Sequence, residues 1–147
     1  MSLLFWGQVT GVDLIKPFLD AAAEAAAAEN VTIEWVQADL REFVRPAAFD
    51  IAVNMYTSFG YCKTIEEDTL IISNIAQSLK TGGCFILEMV GREIAVRDFT
   101  AGEWFERAGY TVLTDFTVEG AWEGLRSHWQ LYTKDGLKAD HTFVQRL

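Results

Sequence analysis

The stretch from Phe49 to Met89 constrains the fold most: a short apolar strand, a well-capped helix and a second apolar strand follow in succession. Thr64 and Glu67 have the spacing of a capping box, and Glu66, Glu67 and Asp68 place negative charge at the positive end of the helix dipole. Ile71, Ile72, Ile75, Ala76 and Leu79 predict one apolar helix face, with Lys80 in the last turn and Gly82–Gly83 as the stop. Ile51–Asn54 and Cys84–Met89 are short continuous runs, the pattern of strands buried on both faces. A strand, crossover helix and strand make a parallel pair with the helix laid across it, so this unit demands a layered α/β domain.

The residues on either side extend the pattern. Val9–Leu14 reads as a strand ending in an acid, Pro17 suits the first turn of a helix, and Phe18–Glu29 is rich in alanine. Asn30 closes that helix, and Val31–Ala38 alternates as a strand, with Asp39 directly after it. Leu40–Arg45 is a turn or short helix ended by Pro46. The order β-α-β-β-α-β predicts a Rossmann-like, mostly parallel sheet with helices on its faces. After Gly91 the character changes. Tyr110–Val118, Leu125–Thr133 and Leu137–Leu147 read as three antiparallel strands, with Asp135–Gly136 as a hairpin signal and Gly120–Gly124 as a looser turn. The expected organisation is one domain over residues 1–147, with an α/β core at 9–93 and an antiparallel extension at 104–147.

Composition excludes several functions. The formal charge is −9 and the basic residues are scattered, which argues against a nucleic-acid partner. Cys62 and Cys84 are the only cysteines and have no metal-ligand spacing, so neither zinc nor a disulfide framework is expected, and two reduced thiols suit a cytoplasmic protein. Met1–Trp6 is apolar but too short for a signal peptide, and no apolar run reaches membrane-spanning length.

In an open α/β sheet, ligands sit where parallel strands end. Asp13 ends the first strand, where a carboxylate can accept hydrogen bonds from the vicinal hydroxyls of a ribose; the bland reading is a helix-capping or turn acid. Asp39 ends the next strand and can meet an adenine amino group, with the same alternative. Together the two describe a nucleoside-binding edge. A dinucleotide would also need a GxGxxG loop before a helix, and only Gly7 and Gly11 precede Asp13. After the third strand, Asn54, Tyr56, Thr57, Ser58 and Tyr61 offer polar groups between apolar walls, with Gly60 for flexibility. The alternative is a loop capped by its own side chains. No Ser-His-Asp or Cys-His set is visible by spacing, no basic partner is assigned to activate Cys62, and His128 and His141 receive no role.

VTGVDL, QADLREF, FDIAVNMYTSFGY and LKTGGCFILEMVGRE, in that order, resemble the S-adenosylmethionine-dependent class I methyltransferases, in the small-molecule branch with a TSFGY-type loop. The resemblance runs from about Val9 to Glu93, and the late HWQLYTKDG…HTFVQRL hairpin is similar to an insertion in that branch. It implies that Asp13 binds the ribose of S-adenosylmethionine with Leu14 near the adenine, and that Asp39 meets the adenine amino group with Leu40 beside it. Asn54 and Met55 would line the methionine end, and Tyr56, Ser58 and Tyr61 would face a small-molecule methyl acceptor. No catalytic residue is implied.

The family's first strand and glycine-rich loop would precede Val9, where only MSLLFWGQ stands, and the family continues beyond Gln145–Leu147. The chain therefore reads as an incomplete domain, weak or inactive in methyl transfer by itself. The absent strand would lie between Val9–Asp13 and Ile51–Asn54. Those strands must then pair directly, leave a gap or recruit a strand from a second copy; rearrangement or intermolecular pairing is the expectation, with a homo-oligomer formed through exposed sheet edges. The competing functions are a non-catalytic dimerisation module and a nicotinamide-dependent oxidoreductase, the latter disfavoured by the missing pyrophosphate loop.

Overall fold

The computed structural model describes residues 7–147; the reading of Met1–Trp6 lies outside them. Strand β1 (Thr10–Asp13), helix α1 (Lys16–Ala28) and strand β2 (Glu34–Gln37) form a first unit, and β1 pairs with β2 in parallel. Strand β3 (Phe49–Asn54), helix α2 (Ile65–Ser78) and strand β4 (Leu79–Leu87) form a second, again parallel. Short helix α3 (Arg92–Arg97) leads into β5 (Gly102–Arg107), β6 (Tyr110–Glu119), β7 (Gly124–Thr133) and β8 (Gly136–Arg146), an antiparallel sheet in sequence order.

Local chemistry explains the two main helices. Pro17 opens α1, and the helix closes through Val31 N–H to Ala26 O at 2.9 Å and Asn30 N–H to Ala27 O at 3.1 Å. This is a Schellman close, and Asn30 supplies its left-handed residue with φ 56°. The capping box of α2 is complete: Thr64 Oγ1 accepts from Glu67 N–H, and the Glu67 carboxylate accepts from Thr64 N–H.

Several sequence expectations need correction. Helix α2 ends at Ser78, so Lys80 belongs to β4, where its ammonium meets Asp50 at 2.8 Å. The buried positions of α2 are Asp68, Ile71, Asn74 and Ser78, while Ala76 is exposed. That face is polar because it receives the segment from Asp39 to Ala48. Asn74 Nδ2 donates to Leu40 O at 3.0 Å and Arg41 O at 2.8 Å, and Arg45 N–H donates to Ser78 Oγ at 3.0 Å. Ala47 and Ala48 N–H groups then reach the last carbonyls of the helix, on Gln77 and Ser78.

Strand β3 is not buried on both faces. Ile51 and Val53 each keep 58% of their surface exposed, because their register partners Cys84 and Ile86 share that face and no helix among the described residues covers it. Strands β1 and β3 belong to separate two-stranded sheets, so the two parallel pairs are not joined by a ladder. Of the three outcomes weighed from the sequence, direct pairing is excluded.

The antiparallel sheet has four strands rather than three, and starts at Gly102. Its first hairpin turns through Ala108 and Gly109, between paired Arg107 and Tyr110, with φ 52° and 81°. Positive φ at both central residues is the hairpin-favouring geometry, but Ala in place of Asn conceals it. The last hairpin loop is Lys134–Asp135, one residue earlier than expected, with Gly136 at φ 101° opening β8.

Ala in the left-handed region is disfavoured by about 1–2 kcal/mol, and Asn tolerates it. Ala108→Asn is therefore expected to stabilise the chain by about 0.5–1 kcal/mol. Urea unfolding should show a higher midpoint with an unchanged slope.

Candidate functional site at the strand ends

Asp13 is half-buried where β1 gives way to α1. Its Oδ1 accepts from Ile15 N–H at 2.7 Å, which fixes the turn, and Oδ2 carries no hydrogen bond among the described residues. The turn-acid reading and the diol-binding reading are thus compatible, one per oxygen. Strand β2 supports this edge through Ala38 N–H to Asp13 O at 3.1 Å and Gln37 Nε2 to Leu14 O at 3.2 Å. Leu14 is exposed. A side chain at Gly11 would run into the ring of Trp35, its register partner, so Gly11 leaves room for that ring to lie over β1.

Asp39 differs from the open acceptor that spacing suggests. The Arg41 backbone N–H donates to its Oδ1 at 2.8 Å, and the guanidinium reaches Oδ2 with Nη2 at 2.6 Å and Nε at 3.0 Å. Nη1 of the same guanidinium meets Glu67 at 2.7 Å, tying Asp39 to the first turn of α2. Hydrogen bonds from Arg41 hold the Asp39 carboxyl below its ordinary 3.8. Nearby, Arg45 and then Thr10 hold Glu34 down at about 2. Leu40 follows Asp39 in a turn and is half-buried.

A depressed carboxyl pKa stabilises the folded state above the unfolded value, and the contribution disappears as pH falls through the folded value. The Asp39–Arg41 contribution is therefore present above the ordinary 3.8 and lost as pH falls from there through the lower folded value. Arg41→Met should return the Asp39 titration toward 3.8, followed by carboxyl carbon NMR. An unmoved titration would show that Arg41 is not the cause.

The third edge is the loop after β3. Asn54 continues the ladder, with its O accepting from Glu88 N–H at 2.9 Å, while its side-chain Oδ1 is buried without a partner among the described residues. Tyr56 N–H donates to Glu88 Oε2 at 3.1 Å and Thr57 N–H to Glu88 O at 3.2 Å. Ser58 Oγ turns back to Met55 O at 2.8 Å, so its hydroxyl closes the loop. Tyr56 is 90% exposed. Tyr61 packs against Phe143 with ring centroids 5.6 Å apart, and burial raises its phenol although about half the residue (48%) still meets solvent.

The end of β8 grips this loop, a feature absent from the sequence reading. Gln145 Nε2 donates to Thr57 O and Phe59 O at 3.0 and 3.2 Å, and Arg146 N–H donates to Gly60 O at 2.8 Å. Arg146 Nη1 reaches Cys62 O and Asp68 Oδ2, both at 2.6 Å. Gly60 has φ 91°, and a Cβ there would stand 2.8 Å from Arg146 O, so only glycine suits this approach. A cavity of about 240 Å³ lies behind the grip, with Phe59, Ile65, Ile72 and Met89 as apolar walls and Asp68 and Arg146 as its charged members. Burial, followed by hydrogen bonding to Asp68, pushes the Cys62 thiol up to about 11, so it is not an activated nucleophile.

The structure therefore makes two groups of the expected site residues. Asp13, Leu14, Asp39 and Leu40 follow the first parallel pair; Asn54, Met55, Tyr56, Ser58 and Tyr61 follow the second. Among the described residues no hydrogen bond links Asp13 to Asn54. Nor does any set of three or more His, Cys, Asp or Glu side chains there form a metal-binding cluster. The strand ends thus hold two uncommitted acceptors among the described residues, Asp13 Oδ2 at the surface and Asn54 Oδ1 in the interior.

Parallel strand-helix-strand units with polar groups just past their strand ends define an open α/β class, in which ligands sit at the carboxyl ends of the strands. Residues 2–83 match the family described as "Methyltransferase domain", and the chain belongs to it. A dTDP-3-amino-3,4,6-trideoxy-alpha-D-glucopyranose N,N-dimethyltransferase of Streptomyces venezuelae is 30% identical over 83 residues, which is 56% of this chain and 33% of that protein. Among solved structures, an S-adenosylmethionine-dependent methyltransferase from Clostridium acetobutylicum superposes with a TM-score of 0.76 at 15% identity, covering 95% of this chain and 58% of its own. DesVI from Streptomyces venezuelae gives 0.63 at 21% identity, covering 94% and 59%. The sugar N-methyltransferase KedS8 from Streptoalloteichus gives 0.61 at 22%, covering 94% and 56%. The α/β units and the antiparallel sheet thus have counterparts in one fold. The chain spans a third of the curated relative, and between half and two thirds of these solved structures.

Proposed function

We propose that this chain carries the nucleoside edge and the acceptor-facing loop of an S-adenosylmethionine-dependent methyltransferase acting on a small molecule. The observation that carries the reading is that the family match, residues 2–83, takes in Asp13 and Asn54 at the ends of β1 and β3 and Asp39 just beyond β2. The relatives' names, an amino-sugar N,N-dimethyltransferase and a sugar N-methyltransferase, favour a sugar amine as the acceptor.

The donor supplies an electrophilic methyl group on a sulfonium sulfur. The protein's task is then binding and alignment, because an in-line approach gains most of its rate from proximity and orientation. Asp13 Oδ2 would take the ribose diol, and Leu14 and Leu40 would flank the adenine. Asp39 would meet the adenine amino group with whatever acceptor capacity Arg41 leaves it. Asn54 Oδ1 would accept from the amino group of the methionine part, with Met55 beside it. Tyr56, Ser58 and Tyr61 would border the acceptor. With no glycine-rich loop in its 147 residues, the chain on its own is expected to bind the donor weakly and to transfer methyl poorly.

Binding of this strength is best followed by amide NMR. S-adenosylmethionine at millimolar concentration should shift the amides around Asp13–Ile15, Ala38–Leu40 and Asn54–Tyr56. Asp13→Asn should weaken the response at least tenfold. A titration that moves none of these amides would overturn the reading, and micromolar affinity would overturn the expected weakness.

A second reading rests on the uncovered face of the β3–β4 pair. Ile51, Val53 and Ile86 are exposed together there, and β1 and β3 lie in different sheets, which favours self-association through sheet edges. Light scattering across a concentration series should show a homo-oligomer, and Val53→Lys should return it to monomer. A monodisperse monomer at high concentration counts against association.

A further inference from the structure

The loop after β3 holds two consecutive residues in the left-handed region, Tyr56 at φ 56° and Thr57 at φ 59°. Neither is glycine, and a β-branched residue such as Thr57 is especially disfavoured there. Such a conformation persists only where its surroundings over-determine it. On one side Glu88, just beyond β4, takes both amides, Tyr56 N–H through its carboxylate and Thr57 N–H through its carbonyl. On the other side Gln145 of β8 donates to the Thr57 and Phe59 carbonyls. The Thr57 peptide groups are thus pinned between strands of two different sheets. Gln145 is itself fixed, since it pairs with Leu125 across the β7–β8 ladder.

We propose that Gln145 is a positioning residue: by holding Thr57 left-handed against Glu88, it sets how Tyr56 and Ser58 are presented to a methyl acceptor. Nothing in its spacing from the loop hints at this, since 88 residues separate it from Thr57. The acceptor part of the statement rests on the methyltransferase reading; the conformational part does not.

Two measurements separate them. In amide hydrogen exchange, Gln145→Ala and the nearly isosteric Gln145→Glu, which lacks the donor, should each speed exchange of Tyr56 and Thr57 at least tenfold. The amides of the β7–β8 ladder should keep their protection. Asn tolerates the left-handed region, so adding Thr57→Asn to Gln145→Ala should recover most of the lost protection. Unchanged loop exchange, equal loosening of the ladder, or no recovery with Thr57→Asn would each overturn the role. In methyl-transfer assays of the full-length protein, with an amino-sugar acceptor, Gln145→Ala should raise the acceptor KM at least tenfold while donor affinity stays constant. A loss of donor affinity instead would overturn the presentation of the acceptor. Absence of all methyl transfer with the unaltered side chain would overturn the methyltransferase reading and leave the exchange result standing.

Discussion

Backbone groups that no sheet ladder takes must still find partners, and here the polar face of α2 supplies them. Asn74 and Ser78 receive the chain between β2 and β3, and the last carbonyls of the helix take the amides of Ala47 and Ala48. Arg41 adds an ionic link from the end of β2 to the first turn of α2 through Glu67. The two parallel pairs share no ladder, so this helix-borne seam connects them along the chain. The ion pair is partly exposed and is worth little alone, whereas the buried amide and hydroxyl would leave unpaired groups if removed.

What the sequence conveyed depended on how local the causes were. The capping box at Thr64, the left-handed close at Asn30 and the parallel units around α1 and α2 were readable because each is decided within a few residues. Strand β5 was hidden because Ala108 occupies a turn position usually marked by Asn or Gly. The face of α2 was misassigned because Ile75 and Ala76 fit an apolar stripe, while the partner that selects Asn74 and Ser78 lies more than 30 residues away. Ile51 and Val53 read as buried because a continuous apolar run cannot show whether a second layer covers it.

The candidate site follows the same rule. Asp13 and Asn54 close β1 and β3, and Asp39 lies two residues beyond the end of β2, which is shorter than its alternating pattern suggested. Their hydrogen bonding was less accessible. Arg41 claims much of Asp39 from two residues away, and Gln145 and Arg146 hold Thr57 to Cys62 from the far end of the antiparallel sheet. A sheet that reads as an appendage to the α/β units is, in its contacts, a wall of the loop that follows β3.

Cys62 and Cys84 are both free thiols, yet their surroundings differ. Burial and Asp68 keep Cys62 protonated well above neutral pH, which withholds the thiolate that alkylating reagents require. Cys84 stands exposed beside Ile51 on the uncovered side of β4. To a mild thiol reagent the molecule thus offers a single address, and a spin label or fluorophore placed there would report directly on whatever comes to rest against that bare apolar surface.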